Sequence, residues 1–221
     1  TAENTFIYIV DKSGSTDDGC IPKDHPLGPP NGCWPNNCGD DCLEAEIVRF
    51  FDRFTDTILD YPSTKNVGVV TFAQIGYSNT VIRTHELTDH KGAIEHAYGI
   101  DVLTDGKTCC SCAFYLAKQM LDNNAADVGG QVTIVFLSDG ICNQKDNYHP
   151  GLPSSDDPLD AAETRANQLL LAYPNTDIIK VAVGKVDCDT VNSAVPQGPC
   201  YEQADPDDLD LDDLIGTKLI S

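Results

Sequence analysis

Basic residues are scarce in this chain. Only 14 of its 221 residues are Lys or Arg, against 35 Asp and Glu, which gives a formal net charge of −21. Because nucleic-acid binding depends on Lys and Arg contacts to phosphates, this balance argues against a nucleic-acid partner, and equally against adsorption to anionic lipid. No apolar run reaches the roughly 18 residues that a membrane-spanning helix needs, so we expect no membrane insertion.

Several sequence patterns of enzymes and metal sites are also missing. The chain contains no G-x-S-x-G nucleophile turn, no G-x-x-x-x-G-K-[ST] phosphate loop, no H-E-x-x-H zinc pattern and no D-x-D-x-D-G-x5-E calcium loop. We therefore expect a protein that is not an enzyme. A metal-dependent hydrolase remains a minor alternative, which turnover of an ester or phosphate would reveal.

Cysteine, in contrast, is abundant, with ten residues in the chain. An even count at this density is typical of a disulfide framework formed in an oxidising compartment. We therefore expect an extracellular protein, either secreted or the ectodomain of a surface protein. A zinc site is the alternative for part of this set, but the spacing lacks a paired C-x2-C knuckle. The cysteines are Cys20, Cys33, Cys38, Cys42, Cys109, Cys110, Cys112, Cys142, Cys188 and Cys200.

Apolar patterns of strands and helices alternate along the chain. Strands are predicted at 5–10, 67–73, 79–84, 132–137, 178–183 and 201–204, and helices at 42–60, 89–98, 110–123, 159–172 and 206–218. This alternation favours an α/β fold with a doubly wound, mostly parallel six-stranded sheet, one antiparallel edge strand and flanking helices. We expect a single domain over residues 1–221, with an insertion rich in Cys, Pro and Gly at about 16–41.

Oxygen-bearing side chains follow the first predicted strand in the turn Asp11-Lys12-Ser13-Gly14-Ser15. A carboxylate and two hydroxyls at this spacing suit a hard divalent cation such as Mg2+. Thr108 precedes a predicted helix, and Asp139 follows a predicted buried strand. Since the carboxyl ends of parallel strands meet at one sheet edge, we expect these residues to surround one cation. The alternative is that they only cap turns and helix starts. The predicted metal residues are Asp11, Ser13, Ser15, Thr108 and Asp139.

This constellation resembles the metal-ion-dependent adhesion site of von Willebrand factor type A domains, also called integrin I domains. The resemblance rests on the D-x-S-x-S turn, on Gly106-Lys107-Thr108 and on Phe136-Leu137-Ser138-Asp139-Gly140, and it extends over nearly the whole chain. It implies a Rossmann-like fold in which Ser13 and Ser15 bind the cation directly. It also implies that Asp11 and Asp139 act largely through waters and hydrogen bonds, and that Thr108 alternates between direct and water-mediated contact.

The resemblance further implies a partner protein that offers a Glu or Asp carboxylate to the metal, and a last helix that shifts on binding. We therefore expect an adhesion or matrix module that binds an extracellular matrix or cell-surface protein through Mg2+, with Mn2+ or Ca2+ as other candidate cations. The alternative is an acidic extracellular matrix protein that gathers Ca2+ or mineral, with the metal site secondary.

The cysteines depart from the pattern of this family. Eight of the ten cluster in sequence around the predicted metal turns, so Cys188 and Cys200 are expected to pair with each other. The pairing of the other eight stays open, because eight cysteines allow about 105 connectivities. We expect a disulfide-linked cap around the metal that restricts loop movement.

Overall fold

The computed structural model describes residues 3–11, 51, 54–60, 64–73, 82–88, 107–128, 130–138, 142–145, 157–182 and 186–202. Their strands are β1 (Asn4–Asp11), β2 (Thr64–Phe72), β3 (Ile82–Thr88), β4 (Gln131–Ser138), β5 (Thr176–Ala182) and β6 (Cys200–Glu202). Their helices are α1 (51 and 54–60), α2 (Cys110–Asn123), α3 (Pro158–Ala172) and α4 (Cys188–Ala194).

The strands form one sheet in the order β3-β2-β1-β4-β5-β6. The central strand β1 pairs in parallel with both β2 and β4, and places Ile7 opposite Gly68 on one side and Ile134 on the other. Strand β5 is parallel to β4 and β6, whereas β3 is antiparallel to β2. The strand order reverses between β1 and β4, and this reversal is the point at which open α/β sheets form their ligand crevice.

Alternate residues of β1 point to opposite faces of the sheet, and helices pack against both faces. On one face Tyr8 packs against Phe51 and Phe54 of α1, with ring centroids 4.8 and 5.5 Å apart, and its hydroxyl lies 3.0 Å from that of Thr55. On the other face Phe114 of α2 lies with its ring centroid 5.3 Å from that of Phe136. All eight residues of β1 are buried, as expected for a strand covered on both sides.

The alternating α/β fold expected from the sequence is confirmed. The helix predicted at 110–123 has the same bounds in the structure, and β1 extends the prediction to include Asp11. Strand β3 continues to Thr88, beyond the predicted 79–84. Helix α4 was not predicted, because its seven residues bury only Val191 and Ala194 and are too short to show a helical period.

The predictions for the insertion at 16–41, the helix at 89–98 and the last helix at 206–218 lie outside the described residues. The extension of a single domain over 1–221 stays a prediction. Within the part of the chain that the structure describes, none of the helices combines the length and apolar composition of a membrane span.

Candidate metal centre

Asp11 ends the central strand at the carboxyl edge of the sheet. Its side chain is buried, with 1% of the residue exposed. The hydroxyl of Ser138, the last residue of β4, donates a hydrogen bond of 2.7 Å to Asp11 Oδ2. A buried carboxylate needs such donors, because removal from water is costly without them. The bond therefore fixes the orientation of Asp11 at the point where the strand order reverses.

Thr108 lies at the same edge, in the segment that precedes α2. It is 1% exposed and lies two residues before α2 begins at Cys110. The following residue, Cys109, donates its backbone N–H to the carbonyl of Ala73 at 3.1 Å, directly after β2 ends. Because β2 is hydrogen-bonded to β1, this contact places the Thr108 segment beside the strand that ends in Asp11.

Disulfides surround this segment. Cys109 pairs with Cys112 in the first turn of α2, and Cys110 pairs with Cys142, which follows β4. At the other side of the sheet, Cys188 pairs with Cys200 and links the start of α4 to β6, as the sequence predicted. The remaining cysteines lie outside the described residues, namely Cys20, Cys33, Cys38 and Cys42.

Comparison with solved structures identifies the fold of the chain. The pilus adhesin SpaC from Lactobacillus rhamnosus GG, in its open conformation, superposes with a TM-score of 0.62 at 12% identity over 99% of this chain, which spans 30% of the SpaC chain. The vWF domain of the type V pili tip protein Mfa5 from Porphyromonas gingivalis gives 0.62 at 11% identity, over 100% of this chain and 96% of that one. The fold is a von Willebrand factor type A fold.

A further structure of this fold, the manganese-loaded TRAP protein of Plasmodium vivax, superposes with a TM-score of 0.52 at 12% identity, over 97% of this chain and 71% of that one. No protein-family model matches the chain, and no curated protein matches it either. The likeness is therefore one of three-dimensional structure, and its identities of 10–12% among the pilus proteins are too low to transfer individual residues.

Helix capping does not explain the position of Thr108 in this type A fold. The N-cap of α2 is Cys109, whose side chain makes no capping hydrogen bond, so Thr108 lies one residue outside the cap. Within the described residues the Thr108 hydroxyl makes no hydrogen bond, whereas both polar groups of its backbone do. The hydroxyl of this largely buried residue is thus a candidate oxygen ligand.

The remaining predicted ligands, Ser13, Ser15 and Asp139, lie outside the described residues, so the five-residue site stays a prediction. Asp139 directly follows Ser138, the partner of the Asp11 carboxylate. Across the described ranges no three His, Cys, Asp or Glu side chains cluster as a metal site made of those types alone would require. The chemistry of the predicted set, carboxylates and hydroxyls, fits a hard cation.

Two residues that position the side chains at this edge, Ser138 and Asn143, were not identified by the sequence analysis. Ser138 orients Asp11 and lies inside the Phe136–Gly140 motif, so its neighbour Asp139 could have drawn attention to it. Asn143 accepts the Thr108 N–H on its side-chain oxygen at 2.8 Å. No sequence signal marks Asn143 apart from its position next to Cys142.

Proposed function

We propose that this chain is an extracellular, non-enzymatic adhesion module that binds a protein ligand through a divalent cation. One observation carries the proposal: buried Asp11 and buried Thr108 reach the same carboxyl edge of the sheet, and the partner of Asp11 is the residue before Asp139. The residues that would hold the cation are Asp11, Ser13, Ser15, Thr108 and Asp139.

The chemistry of these residues supports a cation that still attracts an outside acid. Neutral hydroxyls would be the direct ligands, whereas Asp11 and Asp139 would act largely through waters, so the cation would keep much of its positive charge. The Ser138 hydroxyl holds the Asp11 carboxylate in a fixed orientation, so the site needs little rearrangement to bind. A bound Mg2+ would supply an electrophilic centre for a Glu or Asp carboxylate of the partner.

The structural neighbours give independent support for adhesion at a cell surface. Two of them are a pilus adhesin and a pilus tip protein, and a third was solved loaded with manganese. The disulfides Cys109–Cys112, Cys110–Cys142 and Cys188–Cys200 favour an oxidising, extracellular setting. Mg2+ is our preferred cation, and Mn2+ is the practical probe because its electron paramagnetic resonance signal reports binding.

The test is a Mn2+ titration of the full chain and of two matched variants. Asp11→Asn keeps the size of the side chain but removes its charge, and should weaken the tight Mn2+ site about tenfold or more. Asp177→Asn is the control, because Asp177 accepts a hydrogen bond from Gln131 at the opposite, amino-terminal edge of the sheet and should leave the site unchanged.

Saturation of one tight site that only Asp11→Asn weakens would support the proposal. Many weak Ca2+ sites without a tight one would instead support the acidic matrix protein that gathers Ca2+ or mineral.

A second experiment tests the ligand. The chain should bind Glu- or Asp-containing peptides on an array in the presence of Mn2+. Retention after addition of excess EDTA, or on the Gln- and Asn-matched array, would refute the metal-dependent mechanism.

A further inference from the structure

Asn143 and Gln144 hydrogen-bond to both polar groups of the Thr108 backbone. The N–H of Thr108 donates to Asn143 Oδ1 at 2.8 Å. The carbonyl of Thr108 accepts two hydrogen bonds of 3.1 Å, from the backbone N–H groups of Asn143 and Gln144. All the backbone hydrogen-bonding capacity of Thr108 is thus directed at two consecutive residues that follow β4.

Two further contacts limit movement of this region. The Cys110–Cys142 disulfide joins the first residue of α2 to the residue before Asn143, with 5.6 Å between the Cα atoms. The Cys109 N–H is hydrogen-bonded to the Ala73 carbonyl, so Thr108 is held against β2 as well. The hydroxyl of Thr108 is left out of this network within the described residues.

We propose that Asn143 is a positioning residue for cation binding, which acts by fixing the Thr108 peptide so that the hydroxyl is presented to the metal. This inference rests on the proposed function, in which Thr108 is a ligand. Asn143 itself is exposed and is not among the predicted metal ligands. Its side chain supplies the acceptor for the Thr108 N–H, and its backbone supplies one of the two donors to the Thr108 carbonyl.

These contacts should lower the conformational cost of cation binding. A Thr108 loop held from β2, from α2 and from the segment after β4 is pre-organised, so little ordering is required when the cation binds. Removal of the Asn143 acceptor leaves the Thr108 N–H without this hydrogen bond. The segment must then become ordered when the cation binds, and this cost weakens the binding. The expected loss is about fivefold in Mn2+ affinity, the change that corresponds to one ordinary hydrogen bond.

The test compares Asn143→Ala, Asn143→Asp and Asn124→Ala in the full chain. Asn143→Ala should weaken Mn2+ binding about fivefold and should accelerate hydrogen exchange of the Thr108 amide. Asn143→Asp keeps an acceptor oxygen and adds a negative charge near the cation, so it should preserve the protection of that amide and should not lower the affinity. Asn124→Ala is the matched control, since Asn124 also bonds the backbone with its side chain, to Met120 at the far end of α2.

The outcomes separate this inference from the function on which it rests. Faster exchange at Thr108 with unchanged Mn2+ affinity would overturn the positioning role and leave the metal site intact. Equal weakening in Asn124→Ala would show a general effect on α2 and would overturn it too. A wild-type chain that binds no Mn2+ would overturn both proposals together.

Discussion

At the scale of single residues, Lys180 is a buried cation within the described part of the chain. It lies in β5 with 0% exposure, and its Nζ donates to Asn192 Oδ1 at 2.5 Å and to the Val195 carbonyl at 2.6 Å. Both acceptors are neutral. Burial lowers the pKa of the Lys180 ammonium from 10.5 to about 8, because removal from water disfavours the charged form.

This lowered pKa predicts a stability that depends on pH. Between about 8 and 10.5 the unfolded chain holds a proton at Lys180 that the folded chain has released, so the free energy of unfolding should rise with pH across this window. The contribution is at most about 3 kcal/mol. Urea denaturation of wild type and Lys180→Met at pH 7.5, 9 and 10 would measure it.

The wild type should gain stability relative to Lys180→Met as the pH rises, because Met does not titrate. A difference between the two that stays constant from pH 7.5 to pH 10 would contradict a depressed pKa. Comparison of the two proteins at each pH removes the contribution of all other titrating groups.

Residue types and spacing were enough to predict where Asp11 would lie, because a carboxylate directly after a buried strand must fall at the carboxyl edge. They were not enough for Lys180. A lysine in a predicted strand suggests a solvent-facing position, and the face it occupies is covered by α4, a helix too short to be recognised. The burial of Lys180 thus depends on an element that the sequence pattern did not reveal.

At the scale of elements, the start of α2 is the most cross-linked point of the described chain. The Cys110–Cys142 disulfide spans 32 residues, whereas Cys188–Cys200 spans 12. In the chain-entropy model the longer loop should stabilise the fold by about 4 kcal/mol and the shorter by about 3 kcal/mol. Both disulfides therefore contribute strongly, and the one beside Thr108 contributes more.

Removal of each disulfide by double alanine substitution tests this ranking. Cys110→Ala with Cys142→Ala should lower the free energy of unfolding by about 4 kcal/mol, and Cys188→Ala with Cys200→Ala by about 3 kcal/mol. Guanidinium denaturation followed by far-UV circular dichroism gives both values. A loss below about 1 kcal/mol for the first pair would contradict the chain-entropy account of this disulfide.

The bounds of α2 could be predicted because its apolar residues recur at helical spacing, with Ala113, Ala117 and Leu121 among those buried. The partner of Cys110 could not. Cys109, Cys110 and Cys112 are close neighbours in sequence, and only the three-dimensional approach of the segment after β4 distinguishes Cys110 as the one that reaches Cys142. Pairing is a property of the folded sheet, whereas helix formation is largely local.

At the scale of the whole molecule, the net charge of −21 opposes the compact state through self-repulsion. Salt should relieve this effect, since the screening length falls from about 30 Å at 0.01 M to about 8 Å at 0.15 M. We expect the unfolding midpoint to rise by about 2–4 °C over this range, which corresponds to about 1 kcal/mol. Thermal melts in NaCl would measure the rise, and a midpoint that falls with salt would contradict it.

The doubly wound α/β architecture could be anticipated from the alternation of strands and helices, because parallel strands need crossover helices and these must cover both faces. The type A fold was expected only from the resemblance of the motifs around Asp11, Thr108 and Asp139. The convergence of Asp11 and Thr108 follows from the same topology. The distances that decide which oxygens reach a cation do not follow from it, because they depend on turns whose conformation the apolar pattern leaves undetermined.

The close spacing of Cys109, Cys110 and Cys112 has a consequence for biosynthesis. A newly made thiol at position 110 has nearer candidates for oxidation than Cys142, which is 32 residues away and arrives only when β4 has joined the sheet. We therefore expect a thiol buffer or an isomerase, which lets a non-native local bond to Cys110 be exchanged, to give more correctly oxidised protein than an oxidant alone.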